Sequence, residues 1–316
     1  LARSSEKHHL CGVKIKILAA LALVAANVIY GLNFVISKEV MPRFLSPEAI
    51  ILLRVIGATA MFWFLALLLK PQKILRSDWP RLLLCALFGV AANQLLFFAG
   101  LNLSTPINAS IIMTTNPVIV LIAAWLSGQE RLGPVKAAGV FMAAFGAVTL
   151  ILQGGSFEWA QRDIMLGNLL IFLNAVCYAF FIILSKPLTR KYDPISLIRW
   201  CFTLGFFMVL PFGLRDMLQA DYASFPPYIW ADLLFIVVGV TFFTYLLNIV
   251  ALKYVTASMV AIFIYLQPLI AMIHSIWLGR DRLNGLLIFC AVLVFSGVYL
   301  VSRKARVSAL PEEKEV

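Results

Sequence analysis

Ten blocks of apolar residues recur along the chain, at 15–37, 47–69, 82–101, 105–127, 133–153, 164–185, 194–214, 228–250, 256–278 and 283–302, with short polar connections between them. A helix rising 1.5 Å per residue needs about 20 residues to cross the hydrocarbon of a bilayer. Each block is close to that length and apolar throughout. A membrane β-barrel would instead show segments of about ten residues alternating apolar and polar. The predicted fold class is therefore an all-α integral membrane protein with ten transmembrane helices. The first block is of full spanning length and lacks a small-residue cleavage site, so it is expected to remain as a helix.

Composition agrees with this pattern. Hydrophobic residues make up 62% of the 316 and charged residues 13%, against roughly 45–50% and about 25% in soluble domains. All fifteen acidic residues fall in tails, connections or helix ends. The net charge of +11 raises the question of a polyanionic partner, and its distribution answers it. With the N-terminus placed in the cytoplasm, 18 Lys and Arg fall on the cytoplasmic side and 6 on the other, Arg54 and Arg199 lying inside spans. The positive-inside rule then puts both termini in the cytoplasm, and no nucleic-acid partner is implied. Four of the five cysteines fall inside spans without paired or metal-ligand spacing, so they read as small buried hydrophobes. No metal and no cofactor is expected.

The chain resembles itself. At a shift of 151 residues Thr105 meets Thr256, Pro117 meets Pro268, Gly128 meets Gly279, Glu130 meets Asp281, Arg131 meets Arg282, Leu132 meets Leu283 and Gly146 meets Gly297. At a shift of 148, Tyr30, Ser37 and Lys38 meet Tyr178, Ser185 and Lys186. Differences in loop length are the expected source of the drift between the two registers. Each half carries five spans, an odd number, so the second half is expected upside down relative to the first. Such inverted repeats are a recurring plan of secondary transporters, with the site enclosed between the halves near the midplane. The expected organisation is a tail at 1–14, a first repeat at 15–153, a periplasmic connection at 154–163, a second repeat at 164–302 and a tail at 303–316.

The run Tyr30-Gly31-Leu32-Asn33-Phe34-Val35-Ile36-Ser37-Lys38, Pro47 with Arg54, and Pro117 through Gly128-Gln129-Glu130-Arg131-Leu132 together resemble the drug/metabolite transporter superfamily, specifically its EamA-type members. That resemblance spans about residues 15–302. It implies ten helices with both termini inside and a central cavity lined mainly by helices 1, 3, 4, 6, 8 and 9. It also implies export of amino acids or other small metabolites. The chain departs from the pattern in carrying Tyr30 where many members have Trp.

Polar side chains in lipid are costly unless they face a cavity or a partner helix. Asn27, Tyr30, Asn33 and Ser37 form one stripe on the first predicted helix, and Asn174, Tyr178 and Ser185 one on the sixth. Asn93 and Gln94 precede Phe97 and Phe98 on the third; Asn108, Thr115 and Asn116 mark the fourth. Thr241, Thr244, Tyr245 and Asn248 share a face of the eighth, and Tyr265, Gln267 and His274 fall on the ninth. Helix-to-helix hydrogen bonding explains any one of these; stripes on corresponding helices point to a cavity lining. The expected substrate-binding residues are Tyr30, Asn33, Asn93, Gln94, Tyr178, Tyr245 and Tyr265, with Arg54 either a packing residue or a carboxylate anchor. His274 is the candidate proton-responsive group, set against a simple hydrogen-bonding role. Pro117 and Pro268 are candidate hinges, set against packing kinks.

The expected function is a secondary transporter moving small metabolites, foremost amino acids or related compounds, across a bacterial inner membrane by alternating access, as a monomer or homodimer. A flippase for a lipid or lipid-linked substrate is the alternative. An enzyme would need a nucleophile and base, a metal cluster or paired carboxylates, and the spans offer none.

Overall fold

A computed structural model describes residues 2–69, 72–104, 109, 112–131, 133–153, 162–277 and 285–302. Among these, every regular element is helical: α1 (Ala2–Val40), α2 (Pro47–Leu68), α3 (Trp79–Ala86), α4 (Ala92–Leu103), α5 (Asn116–Leu126), α6 (Pro134–Gln153), α7 (Arg162–Lys191), α8 (Pro194–Gln219), α9 (Pro227–Leu234), α10 (Thr244–Tyr254), α11 (Ala257–Ile262), α12 (Leu266–Trp277) and α13 (Gly285–Ser302). Among the described residues six helical stretches are long and apolar enough to cross a membrane: Ile15–Phe34, Pro47–Leu68, Arg76–Leu103, Asp163–Lys191, Pro194–Gln219 and Pro227–Tyr254. Four shorter apolar helices cover Asn116–Leu126, Pro134–Gly146, Ala257–Ile270 and Ile288–Val301.

Helix starts follow local chemistry. Ser46 caps α2, accepting from the Ala49 N–H, with Pro47 in the first turn. Asp193 caps α8, accepting from the Ser196 N–H at 2.8 Å and its hydroxyl at 2.5 Å. Burial works against the Asp193 carboxylate, but these bonds and the Gln72 N–H outweigh it and hold its pKa below the ordinary value. The folded-state pKa is depressed, so this contribution is complete above the ordinary carboxylate range and is lost as pH falls through it. Asp193→Ala is expected to cost about 1 kcal/mol and Asp193→Asn much less, since Asn caps as well as Asp; thermal unfolding in detergent reads both.

Helices from the two halves pack on one another: α2 on α8, α4 on α7, α1 on α10, and α6 on α13. The last contact is made backbone to backbone. A Cβ on Gly297 would lie 2.5 Å from the Gly139 carbonyl oxygen, and one on Gly139 2.9 Å from the Gly297 oxygen. These glycines therefore serve a contact within the chain.

Two π-helical segments interrupt the long spans, Leu87–Ala91 between α3 and α4 and Phe235–Phe243 between α9 and α10. α3 and α9 both have eight residues and start 148 apart. The π-segments that follow have five and nine residues, and Gln94 and Tyr245 beyond them are 151 apart. The register drift thus arises inside a membrane helix, where extra residues widen the helix into π turns. Loop length is not its source. Thr241 shows the local adjustment, its hydroxyl donating to the Ile236 carbonyl five residues back at 2.8 Å.

Neither proline sits in mid-helix. Pro117 is in the first turn of α5, after a turn at Thr114–Thr115, and Pro268 is in the first turn of α12, after a 3₁₀ turn at Phe263–Tyr265. The first helical turn is where a missing N–H costs least, so the break precedes each proline. Glu130 pairs with Lys136 at 2.5 Å and accepts from the Ser258 N–H at 2.9 Å, tying the α5–α6 connection to the start of α11; its neighbour Arg131 is exposed. Lys186 is buried and donates to the Leu252 and Val255 carbonyls that end α10. Thr105, Asn108, Leu132, Gly279, Asp281, Arg282 and Leu283, the 154–161 part of the connection and the tail from 303 lie outside the described residues.

Candidate functional site

A cleft of about 710 Å³, its mouth included, lies between α1, α2, α4, α7 and α10. Four of these carry the stripes expected from the sequence. Tyr30 and Asn33 reach it from α1, Asn93 and Gln94 from α4, Tyr178 from α7 and Tyr245 from α10, with Arg54 from α2. Seven of the eight expected substrate residues therefore share one wall system. Tyr265 does not. It is fully buried, with its hydroxyl unpartnered among the described residues. The 3₁₀ turn at Phe263–Tyr265 advances three residues per turn instead of 3.6, and it is Ile264 and Gln267 that face the cleft. The side chain of His274 lies outside the described residues.

Among the described residues Arg54 is the one charged side chain on the wall, and no carboxylate joins it there. It is 3% exposed. Its Nε–H donates to the Thr241 hydroxyl at 2.8 Å, and its guanidinium carbon sits 4.6 Å from the centre of the Phe98 ring. Among the described residues no backbone carbonyl is seen to accept from it. An arginine at a helix centre costs about 2.5–3.5 kcal/mol on insertion scales, and one hydroxyl and one ring offset only part of that. Arg199 differs: it stacks against Trp63 at 4.9 Å and Trp200 at 5.7 Å, away from the cleft.

Hydrogen bonds set the remaining side chains. Gln267 donates to Asn27 Oδ1 at 2.9 Å, and Asn27 donates to the Leu23 carbonyl at 2.8 Å. Asn174 donates to the Asn93 carbonyl at 2.7 Å, and Asn93 returns a longer bond to the Asn174 carbonyl at 3.4 Å. The Tyr30 hydroxyl is within reach of Thr244 and Asn248. Tyr245 donates to the Gly89 carbonyl at 2.8 Å, and Gln94 lies 3.5 Å from its hydroxyl. After these bonds Gln94 Oε1 and Asn174 Oδ1 have no donor among the described residues.

Asn27, Asn174, Asn248 and Gln267 also line the cleft; stripe membership was the signal for the three asparagines, and Gln267 stood out only as a polar residue within the ninth block. Phe34, Met113, Val240 and Ile264 line it too, and nothing separates an apolar lining residue from an apolar packing residue in sequence. Among the described residues no group of three or more His, Cys, Asp or Glu is placed to hold a metal ion.

The EamA-like transporter family matches residues 17–152 and 165–303. An uncharacterized transporter of Archaeoglobus fulgidus is 29% identical over 228 residues, covering 72% of this chain and 78% of its own. The uncharacterized transporters YyaM and YetK of Bacillus subtilis are 25% and 23% identical, covering 74% and 96% of this chain and 76% and 91% of theirs. A protein solved by crystallography shares the fold at a TM-score of 0.72 with 20% identity, covering 90% of this chain and 96% of that one. The match across both halves, on helices of membrane-spanning length around a central cleft, places the chain: it belongs to the EamA-like transporter family, a multi-pass membrane transporter and not an enzyme.

Proposed function

We propose that the protein is a secondary transporter that moves amino acids or closely related small metabolites across a bacterial inner membrane by alternating access. Its ten spans form two inverted five-helix repeats with both termini cytoplasmic, and the cleft between the repeats is the substrate site. The observation that carries this reading is the makeup of the wall: one unneutralised guanidinium, several rings, and amide oxygens lacking donors. A carboxylate docks on Arg54, N–H donors of the substrate meet Gln94 and Asn174, and the aromatic rings bury its apolar part. Pairing inside this low-dielectric cleft is stronger than in water. Among the described residues no carboxylate lines the cleft to relay protons, which favours facilitated diffusion or exchange.

Repeat-related positions support the rocking mechanism. Tyr30 and Tyr178, Gln94 and Tyr245, and Met113 and Ile264 all face the cleft, each pair related by the 148 or 151 shift. The breaks before Pro117 and Pro268 are the hinges about which the halves move. Alanine at Tyr30 or Tyr178 is expected to reduce amino-acid transport by about tenfold, the loss of one ring and hydroxyl contact to the substrate. The protein should still reach the membrane in normal amounts. Unimpaired transport by alanine variants of all seven cleft residues would remove the assignment.

A further inference from the structure

A second, nearly closed cavity, with room for about one water, is lined by Leu82, Cys85, Phe181, Cys201, Phe202 and Ile249 among others, and Tyr245 lines both it and the cleft. We propose that this chamber is the other half of the translocation route, a vestibule for the apolar part of the substrate, and that Tyr245 is the side chain that shuts it. The proposal rests on the carrier reading above.

Four cleft residues have counterparts in the chamber. Asn33 and Arg54 map onto Phe181 and Phe202 at a shift of 148, and Gln94 and Phe98 onto Tyr245 and Ile249 at 151. The likeness holds in space as well: Gly57 of α2 lies against Val237 as Gly205 of α8 lies against Val90, the glycines being 148 apart and the valines 147. The chamber therefore stands to one half of the protein as part of the open cleft stands to the other. When the halves exchange arrangements, it opens as the cleft closes.

The closure has a visible latch. The Tyr245 hydroxyl is held on Gly89 in the π-segment Leu87–Ala91, and its ring packs edge-on to Phe202 with centroids 4.9 Å apart. Beyond the chamber, Asp78 accepts from both Lys191 and Tyr192 at 2.5 Å, joining the α2–α3 connection to the end of α7. The two halves of the route also differ in chemistry. Where the cleft offers Asn33, Arg54 and Gln94, the chamber offers Phe181, Phe202 and Tyr245. A carboxylate finds a partner only in the cleft, so the anionic end stays on Arg54 while an aromatic or branched group enters the chamber. The substrate class is then an organic anion or zwitterion with a large apolar body.

Cys85 and Cys201 place two thiols on the chamber wall, and Cys290, buried elsewhere, is the reference. The full chain in proteoliposomes is treated with methyl methanethiosulfonate, and each cysteine is followed by peptide mass spectrometry. Tyr245→Ala should speed modification of Cys85 and Cys201 by at least about tenfold, the population shift expected from losing one buried hydrogen bond and ring, with Cys290 unchanged. In the wild type, phenylalanine on both sides should speed the same two thiols, and their modification should then stop phenylalanine movement. Unchanged rates at Cys85 and Cys201 in both experiments overturn the proposal. Full transport with both thiols modified removes the chamber from the route while leaving the carrier reading intact. Failure of the unmodified protein to move phenylalanine overturns both.

Discussion

Arg54→Gln should leave the protein folded and lower transport of carboxylate substrates by about a hundredfold. The guanidinium is buried with one hydroxyl and one ring for company, so neutralising it removes a desolvation cost, and the folded state should lose little. The substrate loses its partner in a water-poor site. Truncating one member of a buried, hydrogen-bonded charge pair costs about 2–5 kcal/mol, and every 1.4 kcal/mol is about tenfold. Arg54→Lys should fall between the two, keeping the charge but losing the planar contact with Phe98 and the fixed Nε–H bond to Thr241. Uptake by Arg54→Gln at the wild-type rate, at matched protein in the membrane, would return Arg54 to a packing role.

Gly297→Leu should sharply destabilise the protein. Its Cβ would stand 2.5 Å from the Gly139 oxygen and 2.6 Å from Ala143 Cβ. Both obstacles belong to the backbone or lie next to it, so no rotamer relieves the clash, and α6 and α13 must move apart. Overpacking costs about 1–3 kcal/mol in tolerant cores, and here the lost contact runs along the whole crossing. The expected result is a large fall in the thermal midpoint in detergent, with aggregation on extraction. Gly285→Ala, with nothing within 4 Å of the added carbon, is the control and should be neutral or slightly stabilising. Equal behaviour of the two variants would mean that the α6–α13 contact does not hold the protein together.

Much of the cleft was legible because polar groups are expensive in lipid. Tyr30, Asn33, Gln94 and Tyr245 stand out against apolar neighbours, and helical spacing puts them on faces that meet. Legibility ended where the helix itself changes pitch. The π-segments at Leu87–Ala91 and Phe235–Phe243 carry no sequence signal beyond a register drift, which loop length explains equally well on paper. The 3₁₀ turn at Phe263–Tyr265 rotates Tyr265 into the core and brings Gln267 to the cleft. Lys186 lies near a helix end, where spacing alone would leave a lysine at the interface. Its burial depends on α10 ending beside it, a tertiary fact that spacing cannot contain. Glu130 likewise passes over adjacent Arg131 for Lys136 and the Ser258 amide, since those donors are presented by packing.

The central claim is that this cleft carries amino acids across the membrane. Its most direct test is uptake and efflux of pooled radiolabelled amino acids by proteoliposomes of purified protein, with and without a pH gradient. Saturable movement that is indifferent to the gradient and is lost in Arg54→Gln is the expected result. Movement that requires the gradient would contradict the facilitator reading and make His274 the first residue to replace. No movement of any amino acid would contradict the substrate assignment itself.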